Sequence, residues 1–120
     1  MDAERAEECL ARTMLLALSE GPLRGNPPKL RVRDMRESSY FTVFGGPKIY
    51  VKWEEDYAHM LGDLLHELTH YRFWRTVGWK AARSHDRHFW ALFEMTLADY
   101  RLELVRGKKG HPDRYRTTAR

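Results

Sequence analysis

Residues 55–75 read EDYAHMLGDLLHELTHYRFWR, and the spacing inside this stretch decides which fold class and which chemistry to look for. Glu54, Glu55 and Asp56 place negative charge where a helix N-terminus favours it. The apolar positions Ala58, Leu61, Leu64/Leu65 and Leu68 then recur at helical spacing, which predicts a helix over about 55–75. Within it stands His66-Glu67-Leu68-Thr69-His70. Residues four apart lie one turn apart on the same face, so both imidazoles face one ion from one side. Glu67 projects beside that face, near enough to take a proton from a metal-bound water. H-E-x-x-H on a helix is therefore a zinc-ligand pair and a general base within one turn.

Outward from this helix the chain reads as α+β. Upstream, residues 2–19 are good helix formers with apolar positions at Cys9, Leu10, Met14, Leu16 and Leu18, stopped by Gly21-Pro22. A Gly- and Pro-rich loop follows, then alternating stretches at 30–33, 40–44 and 48–53 that predict about three strands, two of them a hairpin around Gly45-Gly46-Pro47. Downstream, 77–83 reads as a connection. Ser84 or Asp86 caps a further helix over about 86–105, which Gly107 ends. The expected architecture is a small antiparallel or mixed sheet packed on the H-E-x-x-H helix and two further helices.

A chain of 120 residues, 42% of them hydrophobic, suits one domain with a packed core, assigned here to residues 1–106. The single cysteine, Cys9, excludes an internal disulfide and a four-cysteine zinc ribbon and fits a reducing compartment. The apolar run 14–18 is too short for a signal-peptide core or a membrane span, so a cytoplasmic protein without membrane association is expected. Net charge is +4, unevenly spread. Six basic residues (Arg106, Lys108, Lys109, Arg114, Arg116, Arg120) face Asp113 alone at the C-terminal end, and 15 basic and 16 acidic residues make up the rest. Residues 107–120 are accordingly expected to be a basic, flexible tail, which either is simply solvated or attracts nucleic acid or acidic proteins.

A catalytic zinc has three protein ligands and an open fourth position. Candidates for the third are His59, Asp63, His85, Asp86, His88, Glu94, Asp99 and His111. His85 is the best placed, since an antiparallel return into the next helix brings it back toward His66 and His70; His88, one turn on, is the main alternative.

HELTH, with fourteen residues between it and His85 in SHDRHFWALFEMTLADY, resembles the SprT-like metallopeptidases and the related YgjP-like family. The matching residues are His85, Phe89, Trp90, Ala91, Leu92, Glu94, Asp99 and Tyr100, and the strand KIYVKW resembles the one preceding the active-site helix in that family. The similarity spans roughly residues 45–101. It implies a zincin-like fold, one zinc ion held by His66, His70 and His85, Glu67 as catalytic base, and a protein or peptide as substrate. The gap before His85 is longer than in the YgjP-like branch and nearer the SprT-like one, whose C-terminal zinc ribbon one cysteine excludes.

Two other readings stand beside this metalloendopeptidase: a nucleic-acid-associated protease docked by its basic tail, and a non-catalytic zinc-binding interaction domain resembling the ImmA-like proteins. A tail folded over the metal through His111 would make the enzyme latent. The aromatic series Tyr71, Phe73, Trp74, Trp79, Phe89, Trp90, Phe93 reads as core rather than as a groove. Arg72, Arg75, Lys80, Arg83 and Arg87 read as a solvated face, with attraction of acidic substrates as the alternative. Asp63 is either an exposed carboxylate or an outer hydrogen-bond partner of a ligand. His88, Tyr100 and nearby arginines are the candidates for stabilising an oxyanion.

Overall fold

The expected elements form, with two changes at the C-terminal end, in a computed structural model that describes residues 1–118. Helix α1 (Ala3–Ser19) begins at Asp2, whose carboxylate accepts the Arg5 N–H at 2.8 Å, and it buries Ala6, Leu10, Met14, Ala17 and Leu18 at a nearly strict i, i+4 spacing. Leu16, counted among the apolar positions, faces solvent instead. Strands β1 (Lys29–Arg33), β2 (Tyr40–Thr42) and β3 (Lys48–Lys52) make one mixed sheet in the order β1-β3-β2, with β1 parallel and β2 antiparallel to β3. One face carries Leu30, Val32, Phe41, Ile49 and Val51, all buried. The two edges differ. At the β1 edge the Val32 N–H is taken by the Glu7 carboxylate of α1 at 2.8 Å, which blunts that edge. The β2 edge is left beside the next helix.

That helix, α2 (Tyr57–Val77), is capped by Asp56, whose side chain accepts from the Ala58 N–H, and closed by Gly78 at φ 91°, a left-handed conformation that costs glycine nothing. It buries residues on nearly every face, Met60, Leu64, Leu65 and Leu68 among them, because it runs through the middle of the molecule. The sheet, α1, helix α4 (Arg87–Asp99) and a C-terminal hairpin all pack on it. Between Gly78 and α4 the stretch expected as plain connection makes one helical turn, α3 (Trp79–Ala82).

The first change is where α4 stops. The expected helix to about residue 105 ends at Asp99, Arg101 turns the chain at φ 56°, and residues 102–105 become strand β4 (Leu102–Val105). The second change explains the first. Residues 107–120, expected as a flexible tail outside a 1–106 domain, contain strand β5 (Arg114–Thr117), which pairs antiparallel with β4; residues 119 and 120 lie outside the described part. Helix formers at 102–105 give way because the strand pairing brings Tyr115 into the core, 7% exposed, against α2. The 107–113 loop is closed by Asp113, which accepts the Gly107 N–H at 2.6 Å.

Tyr115 seats on a gap that glycine leaves. A Cβ at Gly62 would stand 2.1 Å from Tyr115 Cγ. Gly62→Ala is therefore expected to cost about 1–2 kcal/mol net, because overpacking outweighs the roughly 1 kcal/mol that alanine adds to a helix. Urea unfolding reads this as a lowered midpoint; a midpoint at or above the wild-type value would refute the packing.

No helix among the described residues is long and apolar enough to cross a membrane.

Candidate metal centre

His66 and His70 stand one turn apart on α2, and His85 comes from the loop between α3 and α4. Asp86 fixes that loop as the cap of α4, accepting the N–H groups of His88 and Phe89 at 3.0 and 3.1 Å. The three Nε2 atoms converge: His66 to His70 is 3.2 Å, His66 to His85 3.2 Å, and His70 to His85 3.0 Å. The buried Phe89 ring packs against all three imidazoles, at centroid distances of 5.0, 4.5 and 4.8 Å.

Those nitrogens cannot be satisfied by one another. His70 Nδ1 lies 2.6 Å from the Ala82 carbonyl, which only an N–H can approach so closely; its Nε2 is therefore a bare lone pair aimed at the common point. An ion bound at about 2.0–2.1 Å with tetrahedral angles separates its ligand atoms by about 3.3 Å. The observed triangle is close to that, so the three histidines fit a metal ion. Their protonation agrees. Burial, then the neighbouring His70 and His85, drive the His66 pKa down to about 3, and burial lowers His70 as well, so both rings are neutral and each carries one lone pair.

Glu67 is 7% exposed and stands beside this triangle. Burial raises its pKa well above the ordinary value and Asp63 raises it further, while the backbone N–H of Phe41 in β2 opposes them by hydrogen-bonding the carboxylate. The carboxyl thus stands against the sheet edge. A cleft of about 330 Å³ opens where β2, α2 and α3 meet, walled by Tyr40, Phe41, Trp79 and the three histidines. A second, of about 310 Å³, meets it at Ser39, His66 and Glu67 and runs on to the start of β5.

Asp63 bonds neither histidine ligand. It accepts the Ser39 hydroxyl at 2.7 Å, and Ser39 Oγ in turn accepts the Lys52 N–H at 2.8 Å, so the pair clamps the entry of β2 to α2. The other sequence candidates lie elsewhere. His59 accepts the Tyr115 N–H at Nδ1 and turns Nε2 toward Glu54 and Asp63, at 3.5 and 3.8 Å. His88, Glu94, Asp99 and His111 are exposed and outside the cluster. Tyr100 caps α4 on the side of the α1 terminus, away from Glu67. Of the arginines, Arg75 spends its guanidinium on the carbonyls of Leu23 and Arg24, and Arg83 lies over the Trp79 ring at the cleft. Tyr71, Phe89 and Phe93 are core as expected, whereas Trp79 lines the first cleft. Sequence reasoning passed over Ser39, the Ala82 carbonyl and Tyr115, none of which carries a local motif.

No family model, curated protein or solved structure matches the chain. The resemblance to SprT-like and YgjP-like peptidases rests on its two motifs alone.

Proposed function

We propose that this chain is a zinc-dependent peptidase with a zincin-like active site. One juxtaposition carries the reading: three imidazole nitrogens face a common point, and a buried carboxyl stands beside it at the edge of a sheet. Three histidines with an open fourth position are the donor set of a catalytic zinc site, whereas structural sites are closed by four ligands. Imidazole suits zinc, and the all-oxygen donor sets that favour magnesium or calcium are missing from the cluster. Zinc held by His66, His70 and His85 supplies Lewis acidity and brings the pKa of a bound water to about 7.

The chain's own residues supply the rest. Glu67 takes a proton from the attacking water as the new C–O bond forms and passes it to the leaving amine as the C–N bond breaks. Its burial raises its proton affinity, which favours its holding the proton before returning it. The β2 edge offers main-chain hydrogen bonds to an extended peptide, which directs the activity to unfolded or loop segments of proteins. Ser39 and Asp63 hold that edge in place. The apolar wall of Phe41 and Trp79 keeps water from the reacting bond. A reducing cytoplasmic setting suits the lone Cys9.

Docking to nucleic acid through the C-terminal end draws less support. Arg114 is paired with Glu54 at 2.7 Å, Arg116 with Glu103 and Arg106 with Asp113, so three of the six cations behind that reading face acids.

Metal analysis coupled to casein cleavage tests the proposal. One zinc per chain is expected, with cleavage lost on chelation and restored by adding zinc. Stoichiometric zinc without cleavage of any unfolded protein would instead make this a zinc-stabilised interaction domain.

A further inference from the structure

Tyr115 sits in the wall of the second cleft, together with His66 and Glu67, although it lies 45 residues after His70 in the chain and belongs to the C-terminal strand. Its ring is held on three sides. It lies over Gly62, one turn before His66; it meets Phe93 edge-on at 5.9 Å; and it lies 5.5 Å from His59, whose Nδ1 receives its backbone N–H. Phe93 in turn touches the His66 ring at 5.1 Å. The side chain is therefore built into the site and is not a passing surface group.

Its hydroxyl has no protein partner among the described residues. The one fully buried side-chain polar atom without a partner there is Arg75 Nε, so the Tyr115 hydroxyl is not sealed in the core. Tyr115 lines the cleft. Two other donors along this wall are engaged, Ser39 giving its proton to Asp63 and Arg114 its own to Glu54, whereas Ser38 and Lys52 line it with no side-chain partner among the described residues. Burial and the nearby charges of Asp63, Glu67 and Asp113 push the phenol upward from its ordinary range, so it stays protonated and able to donate.

We infer that the Tyr115 hydroxyl donates a hydrogen bond to the carbonyl oxygen of the scissile peptide as negative charge develops on that oxygen. This rests on the peptidase reading and supplies a group that reading leaves open. A preorganised donor in a partly dry site is worth most where charge appears only in the transition state. No proton is transferred in the step: the phenol keeps its own, and the proton of the attacking water travels by way of Glu67.

The test is Tyr115→Phe in the zinc-loaded full chain, which keeps the ring and removes only an unbonded hydroxyl. Thermal melting and zinc content are expected to match wild type. Turnover should fall by about 10²–10³-fold in kcat with KM little changed. Affinity for a phosphinic peptide, a tetrahedral anion, should fall by a similar factor in calorimetry. Peptide substrate should bind equally to E67Q and E67Q/Y115F. Arg114→Ala, in the same wall, should leave kcat within about threefold. Wild-type turnover in Tyr115→Phe, or an equal loss in Arg114→Ala, would overturn the role of Tyr115 and leave the peptidase reading intact. A wild-type protein that cleaves nothing would overturn the peptidase reading and, with it, the role of Tyr115.

Discussion

Glu67→Gln is expected to lower kcat by about 10²–10⁴-fold, or about 3–5 kcal/mol in barrier, with zinc still bound and the fold intact. The amide matches the carboxyl in shape and keeps a carbonyl oxygen for the Phe41 N–H, so the sheet edge stays tied to α2. What disappears is the proton acceptor. The substitution also removes a buried acid, and the consequence has a pH signature in the metal-free protein. Because burial and Asp63 raise the carboxyl's pKa, the folded chain keeps a proton that the unfolded chain has released between the ordinary carboxylate range and the raised value. Fewer protons on the unfolded state mean that stability falls as pH rises through that window. Glutamine has no such loss. In chelator, the melting temperature of Glu67→Gln should match wild type below the ordinary carboxylate range and exceed it as pH rises above that range. The lowered pKa values of His66 and His70 act oppositely, removing stability as pH falls below the ordinary histidine range, but they act in both proteins. Turnover within about tenfold of wild type would remove Glu67 from the chemistry.

His85→Ala carries the second large effect, on metal affinity. His85 is exposed although its ring touches Phe89 and Trp90, so without metal the variant and wild type should melt within about 1 kcal/mol of each other. With metal they should part. Outer partners of zinc ligands are worth about 10–100-fold in affinity, and deleting a ligand exceeds that. At free zinc of 100 times the wild-type Kd, binding stabilises wild type by about 2.7 kcal/mol. A protein binding 100-fold more weakly gains only about 0.4 kcal/mol under the same conditions. The zinc-dependent rise in melting temperature should thus almost vanish in His85→Ala. If it persists unchanged, the third ligand is another residue and the triangle of nitrogens is not the metal site.

Much of this site is legible in one helical turn. His66, Glu67 and His70 need only the periodicity of residues 58–68 to be placed on a common face, since backbone hydrogen bonds within the helix hold them there whatever packs around it. Three strands and three principal helices are legible for the same reason, because each has its own spacing of apolar residues. His85 is partly legible: a capping Asp86 starts a helix after it, but which histidine or acid closes the triangle depends on how far α3 and its loop carry the chain back.

The rest is decided where distant segments meet. The course of residues 99–118 misleads a linear reading because 102–105 is acceptable as helix and becomes strand only when 114–117 pairs with it, and basic composition at 107–120 says nothing of the one tyrosine that seats on Gly62. Ser39 and the Ala82 carbonyl acquire their roles only from Asp63 and His70, 24 and 12 residues away. The sequence by itself determined a histidine pair with a carboxyl beside it and the kind of elements around them, since those depend on contacts within a turn or a strand. Tertiary structure alone decided the closing of the triangle, the sheet edge laid against Glu67 and the arrival of Tyr115, because each requires surfaces far apart in the chain to be buried against one another, and no local pattern records which surfaces those are.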